Sequence, residues 1–385
     1  MGLFAAKQHH IWPFGMTLCS PLLRALFTSA RLILLLISPL TAAQPSASFI
    51  DEADAYLNVK PRHSLDIIQQ HQGKVSALSL PEQFRYYRTG FWASAYVYDH
   101  QQVAEYARAL ASMVQFEAYN SSLSEVLAAT SVWFRRNQGY LSAMAAAQCA
   151  VRHADNSTDI ARVAGTAGIT LLLKDDVEGA ERVFQLGMEI GNHLDNDVMR
   201  SVFTNNLGLI ALQREHYDTA LEQFRGALLI NERDARITGT AINLTNMLLV
   251  AYLQQNWDLF KRLDQRAARN TARLDSKDLL GYYQWLHTAY SVRQLQQVPQ
   301  SVEDKLMRIY HDIGEPTVLQ QLGILAKRMD IIIPSHTKAK GKIANPEQVL
   351  QLLCKGRDDN NTVLHIALQL EAKLASMTQA KAGHQ

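Results

Sequence analysis

The sequence predicts an all-α fold: an α-solenoid in which antiparallel helix pairs stack into a superhelix. Three observations carry this expectation. Apolar residues recur at intervals of three and four along most of the chain, the spacing that gathers them on one face of a helix. No stretch alternates apolar and polar residues between turn dipeptides, so strands are not expected. A pattern of small and large side chains also returns: Gly168, Val177, Ala180, Phe184 and Gly187 are answered by Gly208, Tyr217, Ala220, Phe224 and Ala227, each 40 residues further on. Self-similarity at a fixed period of this size marks a repeat architecture, because one helix pair cannot bury its faces alone.

Residues 1–43 read as a signal peptide. Arg24 and Arg31 precede the apolar run from Leu32 to Leu40, and Thr41, Ala42 and Ala43 offer small residues for cleavage before Gln44. A retained anchor is the alternative, although Arg31 leaves an uninterrupted apolar run shorter than the ~20 residues a spanning helix needs. Residues 44–118 read as two helical pairs, Ala47 to His71 broken at Pro61, and Pro81 to Met113. Residues 119–272 hold the repeats. Residues 273–333 continue the solenoid with helices at Ser276 to Gln296, Val302 to Ile313 and Thr317 to Met329. Residues 334–345, with Lys338, Lys340 and Lys342, read as a basic linker, and residues 346–385 as a helical cap.

The clearest copy of the repeat runs from Phe203 to Ile230, two short helices around the polar break Gln213-Arg214-Glu215-His216. Gly208, Ala220 and Ala227 are small where two helices approach, while Leu207, Tyr217 and Phe224 fill the wedge between that pair and the next. This segment resembles the tetratricopeptide repeat, in which Leu-Gly is followed by an aromatic after the turn and then by Ala, an aromatic and Ala along the second helix. Glu232 stands where that family usually has proline. Two flanking copies are weaker: Tyr140, Ala143, Ala147 and Ala150, with Ser131 in place of glycine, and Leu248, Trp257, Phe260 and Ala267, with Phe260 in place of alanine. The period exceeds the family's usual ~34 residues, so either the helices are longer or the inter-repeat turn from Gly191 to Asp197 is extended.

The resemblance also implies where a ligand would lie. In the family the first helix of each pair lines a concave surface, and counting Gly208 as its eighth position places Asn205, Asn206, Leu209, Leu212 and Gln213 there. The next repeat contributes Thr245, Asn246, Leu249 and Tyr252, and the previous one Arg162, Thr166 and Ile169. Asn206 and Asn246 stand where peptide-binding members carry an asparagine that holds the ligand main chain, a task suited to a carboxamide because it both donates and accepts. The other reading of each asparagine is a cap or a bridge between adjacent repeats. The cations that clamp a C-terminal carboxylate in chaperone-binding members are not matched, so a general peptide groove is expected.

Composition and motifs narrow the function classes. Lys plus Arg is 38 and Asp plus Glu 36, but Lys7, Arg24 and Arg31 lie in the acid-free first 43 residues, leaving 35 cations against 36 anions. A near-neutral body does not suit a nucleic-acid partner, which needs clustered positive charge. Cys149 and Cys354, the two cysteines beyond Cys19 of the leader, read either as packed thiols or, in an exported compartment, as a bridge. Cys149 and His153 share a helix face but have no third metal ligand nearby. No Gly-rich phosphate loop, GxSxG elbow, HExxH pair or CxxC is present, so neither cofactor, metal nor catalytic residue is expected. The aromatics Phe84, Tyr86, Tyr87, Phe91, Trp92, Tyr96 and Tyr98 read either as packing between the first two pairs or as an interface.

The functional expectation is a non-enzymatic scaffold of the cell envelope, periplasmic or otherwise secreted, that binds a protein or peptide segment in its concave groove. It would touch a membrane only if the leader is kept. One alternative is an inner-membrane-anchored sensor acting through a partner. Another is an enzyme acting on envelope polymers with a site assembled across repeats.

Overall fold

The computed structural model describes residues 48–113, 122–334, 346–354 and 366–382; the leader and residues 335–345 of the linker lie outside them. Every regular element among the described residues is helical. Four α-helices come first: α1 (Ser48–Tyr56), α2 (Pro61–Gln70), α3 (Leu80–Tyr96) and α4 (His100–Met113), with a 3-10 helix (Gln72–Ala77) between α2 and α3. The central stack comprises α5 (Leu123–Arg136), α6 (Tyr140–Arg152), α7 (Ser157–Leu173), α8 (Val177–His193), α9 (Asp197–Gln213), α10 (Tyr217–Arg233), α11 (Ile237–Leu253) and α12 (Trp257–Thr271). Then follow α13 (Lys277–Val292), α14 (Gln300–Asp312), α15 (Pro316–Arg328), α16 (Pro346–Leu353) and α17 (Ile366–Ala382). Through α14 the helices pack as antiparallel pairs, and the first helices of successive pairs stack on one another.

From α7 to α13 the helices begin at residues 157, 177, 197, 217, 237, 257 and 277, so the 40-residue period is two equal steps of 20. Each step from α7 to α11 is a 17-residue helix and a three-residue turn. The period is therefore long because the helices are long. The expected pair of short helices becomes two full ones, and the turn expected from Gly191 to Asp197 contracts to residues 194–196.

The turn has its own chemistry. Asp175, Asp195, Glu215, Ala235 and Gln255 take φ between 47° and 61°, reversing the chain at the end of each helix. The next N–H then reaches back to a carbonyl that the helix end leaves open, as in Asp176 N to Leu171 O (3.0 Å) and His216 N to Ala211 O (2.8 Å). At three of these turns that same residue caps the following helix. The side chains of Asp176, Asn196 and Asn256 accept from the N–H three residues on.

Glycine sets the distance between helices. A Cβ on Gly168 would strike the ring of Phe184, one on Gly208 that of Phe224, and one on Gly187 that of Phe203. Gly90 and Tyr106 repeat this contact between α3 and α4, at the same separation of 16 residues. The N-terminal pair therefore packs by the rule of the central repeats.

The stack also closes on itself. The α1–α2 turn reaches the starts of α11 and α13, where Thr238 Oγ1 donates to Asn58 O (2.7 Å) and Asp275 N to Val59 O (2.9 Å). On the outside, α16 packs against α4, α5 and α6, and α17 against α6, α7 and α8. A Cys149–Cys354 disulfide joins α6 to the end of α16, so of the two readings open for these cysteines the structure takes the bridge. Arg182 grips Glu371 of α17 with both Nε (2.6 Å) and Nη2 (2.7 Å).

Candidate functional site

Along α9, Val198, Val202, Asn205, Leu209 and Gln213 follow at three- and four-residue steps and so share one face. Arg162, Thr166, Ile169 and Leu172 do the same on α7. This is the concave face that the repeat pattern implies. Its lower half is occupied by the chain itself: α15 lies across it, and Thr317, Gln320, Gln321 and Ile324 meet Leu172, Leu209, Leu212 and Gln213. The void left between them is about 10 Å³, room for at most a single water.

Asn206, Thr245, Asn246, Leu249 and Tyr252 are buried, as are Leu209 and Leu212, and none of them faces an open groove. The asparagines bridge repeats instead. Asn205 Oδ1 accepts from both Asn243 Nδ2 and Asn246 Nδ2 (2.9 Å each), Asn243 Oδ1 accepts from Asn231 Nδ2 (2.7 Å), and Asn205 Nδ2 leans on Asn206 Oδ1 at 3.3 Å. The ladder joins α9, α10 and α11 and fills both lone pairs of the Asn205 oxygen. Gln213 is half-buried at the edge of α15.

What stays open is the upper half of the same face. Val198 and Val202 are 54% and 45% exposed, one helical turn apart, with half-buried Asn205 next to them. On α7, Arg162 is partly exposed and paired with Asp159 at 2.5 Å, and half-buried Thr166 donates to Val163 O (3.0 Å). The two valines were not among the expected contacts, although stepping back from Asn205 by helical spacing along α9 reaches both.

A buried polar cluster anchors α15 in place. Arg135 Nη1 donates to Glu315 Oε1 (3.0 Å), and Arg136 pairs with Glu315 (3.1 Å) and Asp278 (3.1 Å). Asp278 also accepts from the Tyr98 hydroxyl (3.2 Å) and from the backbone N–H groups of Gly314 (2.7 Å) and Glu315 (3.3 Å). The Arg136 guanidinium lies 4.5 Å from the Tyr98 ring centre and 5.5 Å from that of Tyr96. Burial by itself would push the Glu315 carboxyl up, but Arg135 and Arg136 outweigh it and hold the group below the usual carboxylate range. Burial likewise opposes the charge on Arg136, yet Tyr98, Glu315 and Asp278 raise its pKa further.

The remaining sequence candidates resolve simply. The aromatics of α3 and of the turn after it face inward: Phe84, Tyr86 and Phe91 are buried, and Tyr87, Trp92, Tyr96 and Tyr98 are half-buried, so they pack between helices. Cys149 is committed to Cys354, so it makes no thiolate pair with His153, whose pKa is lowered by burial and by the neighbouring Arg152. Among the described residues no helix is long and apolar enough to cross a membrane.

Neither a protein-family model nor a curated protein sequence matches the chain. Solved structures resemble it in fold. A Rap protein complexed with competence and sporulation factor superposes with a TM-score of 0.55 at 13% identity, covering 81% of each chain. The Rap conjugation gene regulator of plasmid pLS20, in complex with the Phr* peptide, gives a TM-score of 0.53 at 12% identity over 87% of this chain and 97% of that one. The tetratricopeptide resemblance of the sequence is thus matched at the level of fold.

Proposed function

We propose that the chain is a non-enzymatic scaffold that binds a segment of a partner protein or peptide on the strip of concave face its own α15 leaves uncovered. The observation that carries this reading is the pair Val198 and Val202, two exposed apolar side chains one turn apart on a face whose other half α15 covers. Apolar anchors of this kind supply affinity when a partner covers them, and half-buried Asn205 and Arg162 border them with polar groups. The fold likeness lends support, since both similar structures hold a bound factor or peptide.

The envelope location is part of the proposal. A disulfide between residues 205 apart suits an oxidising compartment, and residues 1–43 have the layout of a signal peptide. A retained leader would make the same strip the ligand face of an anchored sensor.

The test is affinity capture by the chain from Ser46 onward, run beside a Val198→Asp/Val202→Asp variant. Both positions are exposed, so the variant should melt like the parent. A protein recovered by the parent and lost by the variant supports the reading. Equal recovery by both contradicts it.

A further inference from the structure

We infer a second binding site, for a carboxylate carried on a short apolar stem, in the groove between α13 and α14. The groove has a volume of about 280 Å³, near the lower end of small-ligand pockets, and shares no lining residue with the concave strip. Its α13 wall is Tyr283, Gln284, His287 and Thr288, and its α14 wall is Lys305, Arg308, Ile309 and Asp312.

The site exists because one repeat departs from the pattern. The eighth residue of the second helix is Phe184 in one repeat and Phe224 in the next, each ring lying over a glycine of the first helix. In the third repeat the glycine position is Leu248 and the eighth residue is Asp264. The aromatic has moved one turn earlier, to Phe260, which is fully buried and stacked on Tyr290 with ring centres 4.4 Å apart. Asp264 is thereby released from the core. It accepts from the Tyr283 hydroxyl at 3.1 Å and faces His287 Nδ1 at 3.1 and 3.2 Å from its two oxygens.

These contacts orient the groove. A carboxylate only accepts, so the His287 proton on that side sits on Nδ1, and this contact fixes the ring in the groove wall. Opposite stand Lys305 and Arg308, three residues apart on one face of α14 and both exposed. Among the described residues neither has a hydrogen-bond or ion-pair partner. Arg308 offers a planar fork matched to a carboxylate, Lys305 adds a second positive charge, and Ile309 with the Tyr283 ring gives the stem an apolar wall. The carboxylate can come from a free small acid or from an acidic side chain of a protein segment, and the chemistry of recognition is the same.

The test is titration of the whole chain with butyrate, with inorganic phosphate and with a short N-acetylated, C-amidated peptide holding one internal glutamate, following the His287 ring signals by NMR. Saturable shifts with butyrate or the peptide, weakened about tenfold in Arg308→Gln and also reduced in Lys305→Gln, are expected, a tenfold change being about 1.4 kcal/mol. Tighter binding of the peptide than of butyrate identifies a protein segment as the source, and the reverse identifies a free acid. Unsaturated shifts with every probe, equal response to phosphate and butyrate, or unchanged binding in both variants would overturn the inference. Both substitutions are at exposed positions, and an unchanged melting temperature separates lost binding from lost structure.

Discussion

Arg136 of α5 donates to Asp278 of α13 across 142 residues of sequence, and both side chains are nearly excluded from solvent. The pair joins the first repeat to the helices that close the superhelix, and Tyr98 and Glu315 complete the cluster. Removing one partner would strand a buried charge, which costs about 3–5 kcal/mol. Asp278→Ala should therefore lower unfolding stability by that order in chemical denaturation. A loss under 1 kcal/mol would mean that the cluster is not needed for closure.

The same cluster sets an acid limit. Glu315 is held below the ordinary carboxylate value despite burial, so its contribution is complete above that value, about 4.3, and is lost as pH falls through the lower folded value. Thermal melts taken downward from pH 5 should show stability falling with pH. Glu315→Gln should be less stable than the parent at pH 7 and should show a shallower fall. Parallel curves would exclude Glu315 as a source of the acid sensitivity.

The register of the repeats is tested by two glycines. Gly208→Leu drives side-chain atoms into the ring of Phe224 and should cost about 1–3 kcal/mol. Gly226→Ala meets only Thr204 Cγ2 at 3.6 Å, in a helix interior, and should stabilise by about 0.5–1 kcal/mol. Similar effects of the two changes in denaturation curves would count against this packing.

The disulfide spans 205 residues of chain and pins α16 to α6. Cys354→Ser should cost about 2–5 kcal/mol and speed proteolytic removal of the tail. Limited proteolysis with and without reductant reports both effects, and an unaltered cleavage pattern would show that the helix contacts alone hold the tail.

The helical class, the 40-residue period and the close approach of Gly208 to Phe224 were legible because each leaves a periodic mark in one sequence. The 20-residue half-step was partly visible in Asp176, Asn196 and Asn256, but His216 and Arg236 occupy the same position without a side-chain cap and blur it. The filling of the groove was not legible. It depends on Thr317, Gln321 and Ile324 returning over a hundred residues later to the face of α9, and no local pattern records that return. The helices that carry the asparagines could be read from the repeat, but the contact of Asn205 with both Asn243 and Asn246 could not, because it joins residues 38 and 41 apart in sequence.

The central claim is that Val198 and Val202 form the partner-binding strip, and site-specific photocrosslinking tests it most directly. A benzophenone amino acid placed at Val202 should capture one partner from envelope extract, while the same probe at Leu229, 63% exposed on α10, should not. Capture of the same protein at both positions, or at Leu229 alone, would contradict the assignment of function to the concave face.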